Sequence, residues 1–170
     1  IDPADTDITC TQTNTRRSTS LVLEKQWVDA ALGEQVEVSA AGSATGTISL
    51  ASTADTTSEV DTATAQAVDA GETITLAEAF AIPGNAANYT TVLACSGNGT
   101  PLAGNTLTIG PGDTDITCRY TNTRLQTRLR LEKDWGANSQ TGDQAQLGAS
   151  TGPANNTAPL AVTAPTGGVT

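Results

Sequence analysis

Apolar and polar residues alternate with a period of two in short runs over much of the first 124 positions, the pattern of strands with one buried face. Such runs near 20–28, 34–40, 46–51, 73–80, 89–95, 105–109 and 114–122 predict seven strands. Gly, Asn, Asp and Pro bound them. GNGTPLAGN (97–105) and GPGD (110–113) supply glycines for positive φ and prolines for a preset φ. Residues 52–72 are rich in Thr, Ala and Asp and show no sustained stripe, so a surface loop or a short helix at 61–69 is expected there. Strands this short at this spacing predict an all-β chain of β-sandwich type.

Three predicted strands carry a polar residue on the apolar face. LVLEKQW (21–27) places Lys25 in line with Leu21, Leu23 and Trp27. ITLAEAF (74–80) places Glu78 with Ile74, Leu76 and Phe80, and ITCRYTN (116–122) places Asn122 with Ile116, Cys118 and Tyr120. A buried charge is costly unless it is paired. The first and last strands of a sandwich can be neighbours, which would bring Lys25 to Asn122. Two ordinary explanations cover Lys25: a buried salt bridge to Glu78 with Asn122 as hydrogen-bond partner, or a strand-end lysine snorkelling to water.

The same pattern occurs twice. DTDITC at 5–10 returns at 113–118, TNTR at 13–16 returns at 121–124, and LEK at 23–25 returns at 131–133, each about 108 residues later. Repetition at a fixed offset marks a tandem array. Its phase makes 1–17 the closing strand of a preceding repeat, 18–124 a complete repeat and 125–170 the first part of a following one. The chain is therefore expected to begin and end within domains, completed by a longer polypeptide or by neighbouring subunits. Lys133 and Asn14 are then the counterparts of Lys25 and Asn122, and Cys10 that of Cys118.

Composition narrows the function classes. The 170 residues carry a net charge of −10, which opposes nucleic-acid binding. No run of 18 or more apolar residues is present to cross a membrane. With no histidine and no CxxC, a zinc site and a histidine-based nucleophile are not expected, nor is any cofactor. Asp5-Thr6-Asp7 and Asp113-Thr114-Asp115 lack the loop spacing of a calcium site and read as turn caps. The triplets at Asn88, Asn98 and Asn155 fit the glycosylation pattern, which Asn/Thr-rich chains also produce by chance. Cys95 and Cys118 lie on neighbouring predicted strands and form either a disulfide worth about 3 kcal/mol or two buried thiols. The β-rich, histidine-free context favours the bridge, with Cys10 paired to a residue before Ile1.

The opening LxLxK, a middle LxE before a Tyr, and the closing CRYTNTR resemble the prealbumin-like repeats of bacterial surface proteins, related to the CnaB-type domains of Gram-positive pilins and adhesins. The resemblance covers 18–124 and the start of the next unit, and is most specific at LEKxW and CRYTNTR. It implies tandem Ig-like or prealbumin-like sandwiches in an extracellular adhesin, stalk or filament on a bacterial surface. Partners would be neighbouring repeats, identical subunits in a fibre, or a host or cell-surface ligand. It also implies an autocatalytic isopeptide bond from Lys25 to Asn122 assisted by Glu78, a reaction of the protein on itself rather than enzymatic turnover. A ligand-binding module of an adhesin is the alternative, although loops 52–72 and 97–105 carry no aromatic residue to contact a ligand.

Overall fold

The computed structural model describes residues 7–127, 130–136 and 140–148, and strand residues 150–151, 155–156 and 160–163. The chain divides into two compact units, Ile1–Leu125 and Gln126–Thr170.

The first unit is all-β. Its strands are β1 (Ser18–Val28), β2 (Gln35–Gly42), β3 (Gly46–Thr53), β4 (Glu59–Thr62), β5 (Gln66–Asp69), β6 (Thr73–Phe80), β7 (Tyr89–Ser96), β8 (Thr106–Thr108) and β9 (Ile116–Arg124). A 3-10 turn at Pro83–Asn88 precedes β7. One sheet runs β4-β1-β9-β7, with β5 also on β1; the other runs β3-β2-β6-β8. All pairings are antiparallel except β1 with β9, which run parallel from Leu21↔Ile116 to Val28↔Thr123.

Alternation decides which face each strand buries. Leu21, Leu23, Lys25 and Trp27 of β1 are buried, as are Ile116, Cys118, Tyr120 and Asn122 of β9. Val36, Val38 and Ala40 of β2 and Ile74 and Leu76 of β6 meet them in one hydrophobic cluster. Two sheets therefore face each other across a single core, a sandwich-like arrangement. Trp27 anchors one end, with Phe80 at 6.2 Å and Tyr89 at 5.7 Å in edge-on contact.

Residues 52–72 depart from expectation: they contain β4 and β5 rather than a helix or an unstructured loop. The two short strands divide the free edge of β1 between them, β5 along Ser18–Leu21 and β4 along Glu24–Trp27. Between them the Ala63 amide donates to the Leu23 carbonyl at 2.9 Å. Edge backbone groups need partners whatever side chains supply them. Thr/Ala-rich segments can meet that need without any hydrophobic alternation of their own.

Glu72 locks the β2–β3 hairpin. Its Oε1 accepts from the amides of Ala44 and Thr45, both at 2.8 Å, and its Oε2 accepts from the Thr45 hydroxyl at 2.6 Å. Gly42 makes room for it, since a Cβ there would collide with the Glu72 carboxylate. Burial alone would raise the Glu72 pKa, but the hydrogen bonds from Thr45, Ala44 and Asp69 outweigh it and hold it down to about 2.

In the second unit β10 (Gln144–Leu147) pairs antiparallel with β13 (Leu160–Thr163), and β11 (Ser150–Thr151) pairs with β12 (Asn155–Asn156). Residues 130–136 form no strand. Asp5, Thr6 and Thr157, which figure in the motifs above, lie outside the described residues.

Candidate functional site

Lys25, Glu78 and Asn122 converge from three strands. Parallel pairing of β1 and β9 sets Lys25 opposite Tyr120 and Trp27 opposite Asn122, all on the core face. Glu78 enters from the facing sheet, on β6, beside Val38 of β2. Lys25 and Asn122 are fully buried, and the Glu78 side chain is 6% exposed. Complete burial excludes a snorkelling lysine.

Glu78 is the hub. Its Oε1 lies 3.3 Å from Lys25 Nζ, and Asn122 Nδ2 donates to both carboxylate oxygens at 3.1 Å. The Lys25 ammonium also donates to the Gln26 carbonyl at 3.0 Å and stands 4.0 Å from the Trp27 ring centroid. Asn122 Oδ1 is buried without a hydrogen-bond partner. Such orphaned acceptors are rare in native interiors. Which amide atom faces the acid is an assignment made from the hydrogen-bond network. In the reverse orientation Oδ1 would accept from a protonated Glu78, the arrangement that polarises the carbonyl.

Burial pulls the Lys25 pKa from 10.5 to about 8, while the charges of Glu78 and Asp61 and the Glu78 hydrogen bond act in the opposite direction. Burial, with the Glu78 charge adding to it, also raises the Tyr120 phenol. Lys25 is thus an amine close to losing its proton, held against a carboxylate that touches a buried amide.

Cys95 and Cys118 are bonded, opposite each other on β7 and β9 with Cα atoms 4.1 Å apart. Cys10 is an exposed free thiol, and Asn14 is exposed. Lys133 is exposed as well, donating to the Asp134 carbonyl. Asp113 caps turns, accepting from the Gly99 amide at 2.7 Å and the Gly110 amide at 2.8 Å. No cluster of three metal-ligating side chains occurs among the described residues.

Comparison of the chain with protein-family models, curated protein sequences and solved structures finds no match.

Two residues at the site escaped the sequence reading. Asp61 stands opposite Lys25 on β4, and Ser52, 3% exposed, lies at the end of β3. The signal for Ser52 was present, because it continues the even spacing of Ile48 and Leu50. Asp61 had none: only its register with β1 distinguishes it from the other acids of 52–72.

Proposed function

We propose that residues 18–124 form one load-bearing unit of a tandemly repeated, extracellular bacterial surface protein, an adhesin, stalk or filament of prealbumin-like sandwiches. Within the unit Lys25 and Asn122 form an isopeptide bond assisted by Glu78. The observation that carries this reading is the fully buried contact of a first-strand lysine and a last-strand asparagine with one carboxylate.

The reaction balances within the site. Glu78 takes a proton from the Lys25 ammonium, and the neutral amine attacks Asn122 Cγ. The carboxyl passes its proton to the departing Nδ2 and receives another from Nζ. The Nζ–Cγ bond forms, the Cγ–Nδ2 bond breaks, and ammonia leaves with the proton that Lys25 first gave up. Contact inside a folded core supplies the rate advantage of an intramolecular reaction. The product is a neutral amide, which removes the buried charge.

The topology suits a load-bearing role. The chain enters at the start of β1 and leaves at the end of β9, and these strands lie side by side and parallel. Tension between those two points loads their hydrogen bonds together in shear instead of peeling them one at a time. A Lys25–Asn122 bond would add a covalent path between the same two strands. The Cys95–Cys118 bridge ties β9 to β7 and suits an oxidising compartment.

Intact-mass measurement of the purified chain tests the crosslink. After reduction of the disulfide, the expected mass is one ammonia below that calculated from sequence, and Lys25→Ala, Glu78→Ala or Asn122→Ala abolishes the deficit. A parent chain at full mass overturns the bond and leaves the buried salt bridge, which the 3.3 Å contact favours as the second reading. The two also differ in alkali. A free Lys25 with its pKa lowered to about 8 binds fewer protons folded than unfolded, so stability rises between about pH 8 and 10. A crosslinked Lys25 does not titrate, and the rise is absent.

A further inference from the structure

We propose that Ser52 and Asp61 are positioning residues for this site, holding the Trp27 indole as the wall of the Lys25 chamber and governing how fast, and at what pH, Lys25 reacts. The inference rests on the crosslinking reading.

A hydrogen-bond chain of fixed direction joins the three residues. Trp27 Nε1 lies 2.8 Å from Ser52 Oγ, and Ser52 Oγ lies 2.5 Å from Asp61 Oδ2. An indole N–H can only donate and a carboxylate can only accept. The single Ser52 proton therefore goes to Asp61, and the Ser52 lone pair receives the indole. This leaves the Trp27 ring little freedom: its N–H is tethered at one side, and Phe80 and Tyr89 pack edge-on against the ring. Lys25 Nζ stands over the same ring, 4.0 Å from its centroid.

Each part of the relay acts on Lys25 differently. The ring is buried together with Lys25, and its π face attracts the ammonium. Asp61, in register with Lys25, contributes a negative charge that favours the ammonium against burial. The other titratable groups facing this region are Glu78 on β6, Tyr120 on β9, Tyr89 on β7 and, one turn of the pleat from Asp61, Glu59 on β4. Glu59 is tied to the amides of Asp55 and Thr56. The inward residues of β2 and β3 (Val36, Val38, Ala40, Ile48 and Ser52) carry no charge. Among the described residues, Asp61 is thus the one carboxylate besides Glu78 whose charge acts on the amine, and it lies in register with Lys25.

The experiment starts from the full chain recovered uncrosslinked in denaturant, refolded by dilution, with ammonia loss followed by intact mass across pH. Ser52→Ala is expected to slow the reaction about tenfold by loosening the ring, and Ser52→Thr to restore the rate. In a Trp27→Phe background, where no indole N–H remains, Ser52→Ala should have no further effect. Asp61→Asn keeps an acceptor for Ser52 but removes the charge, so the midpoint of the rate–pH profile moves toward acid. A parent that crosslinks while Ser52→Ala and Asp61→Asn leave rate and midpoint unchanged overturns the positioning role alone. Equal slowing by Ser52→Ala with and without the indole also overturns it. A parent that never loses ammonia overturns both readings.

Discussion

LVLEKQW (21–27) and LRLEKDW (129–135) are nearly the same heptapeptide in two settings. Some features are common to both. Each lysine donates to the carbonyl of the next residue and stands over the tryptophan two positions on, at 4.0 Å for Lys25 and 4.4 Å for Lys133. These contacts are local and need only the shared LEKxW spacing. All else differs. Lys25 is fully buried in a strand paired on both edges, whereas Lys133 is exposed in a segment without strand pairing, and Leu131 is 44% exposed where Leu23 is 0%. An alternating pattern makes a strand possible. Neighbouring strands make it a strand and give the lysine its acid and its amide.

The largest expected difference between the two copies is in stability. Removing Lys25 takes away the crosslink or, in a chain that has not crosslinked, strands Glu78 in the core, where breaking a buried pair costs about 3–5 kcal/mol. Lys25→Ala should therefore lower the denaturation midpoint of the first unit steeply, while Lys133→Ala stays within about 0.5 kcal/mol. Trp27 fluorescence in a Trp135→Phe background reads the first unit separately. Equal effects of the two substitutions would break the comparison.

The cysteines sharpen it at a smaller scale. Cys118 and Cys10 sit in matching DTDITC motifs, but only Cys118 is buried and bonded. Cys118→Ala is expected to cost about 3 kcal/mol and Cys10→Ala nothing measurable in thermal melts. A reductant should lower the melting point of the parent and leave that of Cys118→Ala unmoved.

A third effect is an acid limb that Glu72 gives the first unit. Glu72, with its folded pKa held down to about 2 against 4.5 unfolded, contributes stability that is full above about pH 4.5 and is lost as pH falls through about 2. Glu72→Gln should flatten this limb of the acid denaturation curve. An unchanged limb would place acid sensitivity elsewhere.

Strand faces were largely legible in advance because alternation is a property of single strands. Leu21 to Trp27 and Ile116 to Asn122 bury the faces their spacing predicts. The region 52–72 was not legible. β4 and β5 exist because β1 has a free edge to fill, and no pattern in Thr/Ala-rich segments announces a neighbour's unpaired amides. Glu72 and Asp61 were missed for the same reason, since each takes its meaning from a turn or strand distant in sequence.

By itself the sequence determined the alternation, the repeated motifs and the polar residue on each of three apolar faces. Backbone geometry turns every second side chain to one side whatever surrounds the strand. The tertiary structure alone decided that β1 and β9 run parallel, that Lys25 is sealed from water while Lys133 is not, and that one carboxylate touches both amine and amide. Burial and pairing are relations between segments far apart in the chain, and a heptapeptide that nearly recurs can hold only one side of such a relation.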